Sequence, residues 1–138
     1  MIGLRIVMDS YAWVEFFIGS DKGKKVLTFM SSADEIITPD LVLAELARKY
    51  VREGFEENSV RERLKFVEEN SVVVCIDREL SVLSAKAYLE LLDKAKKEGR
   101  NKPSITDSIL LTLGRKYNAK VVTGDELFRD MEEVIFLE

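Results

Sequence analysis

The chain alternates short apolar runs with stretches of helical periodicity, and that alternation restricts it to one broad class of fold. "LRIVM", "EIIT", "SVVVCI", "AKVVT" and "EVIFLE" read as strands, and helical spacing fills most of the gaps between them. The first four runs are nearly continuous in apolar residues, as expected for parallel strands covered on both faces. The pattern predicts a three-layer α/β/α sandwich with a central, mostly parallel sheet. "TPDLVLAELARKYV" reads as a helix with Pro39 near its first turn, and "DRELSVLSAKAYLELLDKAKKEG" as a longer one ending at Gly99. "PSITDSILLTLGRKYN" is a further helix leading into the fourth run. No repeat, low-complexity segment or linker divides the 138 residues, so a single domain over 1–138 is expected.

Composition removes several kinds of chemistry. The chain has no histidine, which excludes Ser-His-Asp and Cys-His catalysis and histidine-bound zinc. Any reaction must use carboxylates, hydroxyls, lysine or a hard cation held by oxygen. The single cysteine, Cys75, sits inside "SVVVCID", an apolar strand pattern, and reads as buried packing. No apolar run approaches the roughly 20 residues of a membrane span, and "MIGLRIVMDS" lacks the layout of a secretory leader, so a cytoplasmic protein with no membrane partner is expected. The absence of glutamine and the wealth of Glu and Lys match the balance of heat-adapted proteins, a hint of a thermophile source. The net charge of −4 argues against indiscriminate binding of nucleic acid. Even so, "KYVREG" and "DKAKKEGRNKP" concentrate basic residues that can guide a polyanion or, more plainly, finish a helix.

In open parallel sheets ligands bind beyond the carboxyl ends of the strands, which directs attention to acids placed there. Asp9 follows "LRIVM", Asp77 follows "SVVVCI" and Asp125 follows "AKVVTG". Each precedes a helical segment and can serve as its N-cap, the favoured reading for Asp77. Asp107 stands three residues after Ser104 in "PSITDSILLTL", the spacing of a capping box. Glu45 falls on the polar arc of its helix with Arg48, Lys49 and Arg52, where periodicity favours solvation and an i,i+4 pair with Lys49.

Taken in order, "IVMDSYAWVEFF", "ITPDLVLAELARKY" and "SITDSILLTLGRKYNAKVVTGDELF" resemble the PIN-domain family of metal-dependent ribonucleases, in particular the VapC-like toxins of prokaryotic toxin–antitoxin pairs. The resemblance covers almost the whole chain. It implies catalytic roles for Asp9, Glu45, Asp107 and Asp125, with Thr123 as an accessory hydroxyl. It implies that Asp9, Asp107 and Asp125 hold one or two Mg²⁺ or Mn²⁺ ions, and that Glu45 orients or deprotonates the attacking water. Lys96, Lys97, Arg100 and Lys102 become candidates for contact with the RNA backbone. The physics agrees, since carboxylates gathered in one pocket repel one another unless a cation neutralises them.

"SYAWVEFFIG" spaces aromatic and aliphatic residues around a short helix, more than one narrow stripe needs. Most of it should be core, and any surface remainder would suit the homodimer and the cognate antitoxin that the resemblance implies. Two alternatives belong to the same fold: a PIN-domain nuclease of RNA processing, and a PIN-like module that binds RNA or protein without cutting. A phosphoacceptor receiver domain fits poorly, because "MDSYAW" offers one acid where adjacent acids are expected.

Overall fold

In the computed structural model, which describes residues 3–138, the five apolar runs form one sheet. The strands are β1 (Arg5–Met8), β2 (Glu35–Pro39), β3 (Val72–Val74), β4 (Lys120–Thr123) and β5 (Val134–Phe136). Their order is β3-β2-β1-β4-β5, and every pairing is parallel. The helices are α1 (Ser10–Ile18), α2 (Asp21–Ser32), α3 (Asp40–Arg52), α4 (Glu57–Asn70), α5 (Arg78–Lys97) and α6 (Ile105–Lys116). The leader reading of the N-terminus touches Met1 and Ile2, which lie outside the described residues.

Alternation along the central strand builds the layers. Ile6 and Met8 pack into a core with Trp13 of α1, Val42 and Leu46 of α3 and Val67 of α4. Val7 points the other way, to Leu80 of α5 and Ile109, Leu110 and Leu113 of α6. Both faces of β1 are therefore covered, which is why its apolar run is unbroken. Truncating the fully buried Trp13 to alanine would cost about 3–5 kcal/mol. The long α1 and α2 contact depends on Gly23, where a Cβ would collide with the Glu15 carbonyl.

Two expectations are corrected at the edge of the sheet. β3 is an outermost strand, so Val72 is 53% exposed instead of being covered on both faces. Cys75 lies just past the end of β3 and is exposed. Pro39 ends β2 and caps α3, where its missing N–H and fixed φ suit the transition. No helix among the described residues is long and apolar enough to cross a membrane.

The chain builds the sheet outward from β1 through β2 to β3, then returns to the other side of β1 for β4. The switch point therefore falls between β1 and β4, the place where a parallel sheet opens a crevice at its carboxyl end. The register pairs Met8 with Val122, so the next residues, Asp9 and Thr123, stand side by side at the carboxyl edge of the sheet.

Candidate active site

Asp9 ends β1 and caps α1, its Oδ1 accepting the Ala12 N–H at 2.7 Å. It is 6% exposed. Burial pushes its carboxyl from 3.8 up to about 7; the Thr123 hydroxyl and the Ala12 N–H oppose that shift, and the charges of Asp107 and Asp125 add to it. These couplings show that three of the predicted acids share one electrostatic environment.

Asp107 sits in the first turn of α6 as part of a complete capping box with Ser104. The Ser104 N–H donates to Oδ2 at 2.8 Å, and the Asp107 N–H donates to Ser104 Oγ at 3.1 Å. Burial raises its carboxyl above the usual range, with Asp125 and Glu45 adding to the rise and the Ser104 contacts opposing it. The charge of Glu45 on α3 therefore reaches Asp107, although its helix periodicity alone reads as solvated. The Glu45–Lys49 pair is not formed, because Lys49 turns to Glu53 at 2.6 Å.

Asp125 opens a short 3-10 turn, Glu126–Phe128, with its Oδ1 accepting the Leu127 N–H at 3.0 Å. Its own N–H donates to the buried Thr123 Oγ1 at 3.1 Å. Thr123 thereby links the strand end to the loop carrying Asp125 while contributing its hydroxyl to Asp9.

Capping and clustering are one arrangement here. Asp9, Asp107 and Asp125 each commit one carboxylate oxygen to a backbone N–H, which fixes the side chain and leaves a second oxygen for another task. Asp77 differs: it caps α5 through Leu80, as expected, and takes no part in the cluster.

The basic candidates divide. Arg100 and Lys102 line the depression of about 410 Å³ that Asp107 and Asp125 share. Arg100 is held by Glu98 at 2.9 Å and approached by Glu126 at 3.8 Å, so its charge is largely answered within the protein. Lys96 and Lys97 occupy the last turn of α5, away from that lining, and Lys97 pairs with Asp93 at 2.9 Å. Among the basic candidates it is Arg100 and Lys102 that the fold brings to the acids.

Two site neighbours escape a reading of motifs. The Tyr11 ring lies against Gly124, where any Cβ would clash with it, and the Tyr11 hydroxyl accepts a hydrogen bond from Lys22 Nζ at 2.8 Å. The glycine of "VVTGDELF" is therefore required by the close approach of an aromatic ring. Tyr11 stands two residues after Asp9, and that adjacency was the only available signal.

Among the described residues, no group of three or more acids converges into a ready-made metal cage. The donors nevertheless fit Mg²⁺ or Mn²⁺: they are hard oxygens, and such ions commonly use one or two carboxylates and keep several waters. A buried carboxylate whose charge is disfavoured by burial and by two neighbouring acids is also a group that a cation would relieve.

Comparison with known proteins places the fold. The chain is similar to a toxin–antitoxin complex from Klebsiella pneumoniae, with TM-score 0.72 and 13% identity over 96% of this chain and 98% of that one. It is similar to VapBC2 from Rickettsia felis, solved with a promoter DNA fragment, with TM-score 0.68 and 17% identity over 96% and 97%. It also resembles VapC20 from Mycobacterium tuberculosis, described as a Sarcin-Ricin loop cleaving toxin, with TM-score 0.60 and 16% identity over 83% and 85%. At these identities the likeness is one of fold. No curated protein matches the sequence. The sequence profile of the PIN domain matches residues 6–134, from the strand before Asp9 to the strand after Asp125, and the chain belongs to the PIN-domain family.

Proposed function

We propose that the protein is a divalent-metal-dependent endoribonuclease and the toxin of a type II toxin–antitoxin pair. The observation that carries this reading is the buried Asp9 carboxylate, coupled to Asp107 and Asp125 at the switch point of a parallel sheet. The similarity of fold to toxins solved with their antitoxins, and to one described as cleaving the Sarcin-Ricin loop, supports the toxin assignment and an RNA substrate.

In this reading Asp9, Asp107 and Asp125 hold one or two Mg²⁺ or Mn²⁺ ions, directly or through water. When bound, the ion neutralises the acids and polarises the phosphoryl oxygens of the substrate. Glu45, electrostatically coupled to Asp107, orients the attacking water and accepts its proton. The water oxygen bonds to phosphorus as the bond to the 3′ oxygen breaks, leaving a 5′-phosphate and, after proton uptake, a 3′-hydroxyl. Thr123 keeps the Asp9 and Asp125 carboxylates in register, and Lys102 and Arg100 approach the RNA backbone. A cognate antitoxin and a homodimer would cover apolar surface such as Ile18 at the end of α1, which is 68% exposed.

The test is incubation of the purified protein, freed of any bound inhibitor, with single-stranded and structured RNA in EDTA, Mg²⁺ or Mn²⁺. Cleavage that needs the metal and yields 5′-phosphate ends supports the reading. A folded protein that cuts nothing under any metal would leave a binding module instead.

A further inference from the structure

The basic segment "KYVREG" and Arg48 just before it have no part in the site described so far, yet Arg48 and Arg52 line a groove that also holds Glu45. A groove of about 600 Å³ runs between α1 and α3, with Glu45 at one point of its lining and Arg48 and Arg52 further along. Glu45, Arg48 and Arg52 stand at i, i+3 and i+7, one stripe of the helix surface leading away from the acids. Lys49 in the same lining is paired with Glu53, whereas among the described residues Arg48 and Arg52 form no ion pair or side-chain hydrogen bond.

The acids lie between two depressions. Glu45 belongs to the α1–α3 groove, while Asp107 and Asp125 belong to the depression edged by Arg100 and Lys102. Tyr11 lines the groove and packs on Gly124, the residue before Asp125, so the wall of one depression touches the loop that presents an acid to the other. An unpaired guanidinium on a groove wall binds phosphate oxygens in bidentate fashion and stays charged at any working pH. Arg48 and Arg52 are about 6 Å apart along the helix axis, roughly one nucleotide step of an extended strand.

Building on the nuclease reading above, we infer that a single RNA strand crosses the acids from one depression to the other, and that Arg48 and Arg52 hold two backbone phosphates on the α3 side. The α3 arginines carry more of this binding than Arg100, whose charge is already met by Glu98 and Glu126. They bind phosphate without reading bases, so they set affinity and strand path, while sequence choice lies elsewhere.

The experiment measures kcat and KM of the full chain on a single-stranded RNA in Mn²⁺ across a range of salt, for wild type, Arg48→Ala/Arg52→Ala, Arg48→Lys/Arg52→Lys and, as a control, Arg61→Ala, an exposed arginine of α4 that pairs with Glu57 and lines neither depression. Each neutralised phosphate of a single strand contributes about 0.7 to the slope of log affinity against log salt. The double alanine variant should raise KM at least tenfold at low salt, flatten the slope by roughly 1 to 1.5, and leave kcat within about twofold. The lysine variant should restore most of the slope, and Arg61→Ala should match wild type. Wild-type protein that cuts while the double alanine variant keeps its KM and slope overturns this inference and leaves the nuclease reading standing. Wild-type protein that cuts no RNA overturns both. Polyglutamate that competes with RNA through the same two arginines at equal charge concentration would reassign the groove to an acidic peptide and overturn the RNA strand as its occupant.

Discussion

The buried hydroxyl of Thr123 accepts the N–H of Asp125 at 3.1 Å, joining the end of β4 to the loop that presents the acid. The same hydroxyl contributes to the Asp9 carboxylate across the β1–β4 register. Thr123→Val keeps the volume and removes both contacts, so it should cost about 1–3 kcal/mol of stability and lower RNA cleavage more than tenfold. Thr123→Ser should retain most of both. Thermal unfolding and cleavage rates on the two variants check this, and a valine variant as active as wild type would remove Thr123 from the site.

Gly124 and Tyr11 form a steric pair. A Cβ at Gly124 meets the Tyr11 ring, so Gly124→Ala must move either the ring or the Asp125 loop. We expect a destabilisation of about 1–3 kcal/mol and reduced cleavage. Tyr11→Ala in the same chain should remove most of the added cost, giving a non-additive double-mutant cycle. Additive effects would show that the clash is relieved elsewhere.

Asp9 gives a signed dependence on pH. Its carboxyl titrates near 3.8 when unfolded and about 7 when folded, so between those values the folded protein holds a proton that the unfolded chain has released. The associated stability is full below about pH 4 and is lost as pH rises through 7. Asp9→Asn retains a capping oxygen for Ala12 and cannot ionise. In EDTA the variant should match wild type near pH 4 and exceed it at pH 8 by something on the order of 2–4 kcal/mol. Added Mn²⁺ should narrow the gap by stabilising wild type alone. A wild type at least as stable as the variant at pH 8 in EDTA would contradict the burial cost assigned to Asp9.

Glu45 has no ion pair among the described residues, and Lys49 is engaged by Glu53. Glu45→Gln should therefore leave stability within about 0.5 kcal/mol while kcat falls by about 10²–10⁴, the range of a lost proton acceptor. A change confined to KM would make Glu45 a binding group only.

Much of the fold could be read from the chain because strands covered on both faces must be apolar throughout, as Ile6, Val7 and Met8 are. The helix starts were equally legible at Asp77 and at Ser104 with Asp107, where capping chemistry is local. What failed depended on sheet order. β3 carries the same valine run as an interior strand, yet its edge position exposes Val72, and Cys75 lies beyond the last paired residue. Glu45 was equally opaque to periodicity, because the nearness of its charge to Asp107, on a helix some sixty residues later, is a tertiary relationship with no local signature; family resemblance supplied it. The pairing of Arg100 with Glu98 and Glu126 joins a loop to a distant turn and has no signature in local sequence.

The central claim is that the acids around Asp9 form one metal-dependent active centre. The most direct test titrates Mn²⁺ into wild-type and Asp9→Asn protein by calorimetry and follows RNA cleavage in the same buffer. Wild type should bind one or two ions and cut, while a folded Asp9→Asn should bind more weakly and cut at least a hundredfold more slowly. A folded Asp9→Asn that binds Mn²⁺ and cuts RNA as wild type does would contradict the account.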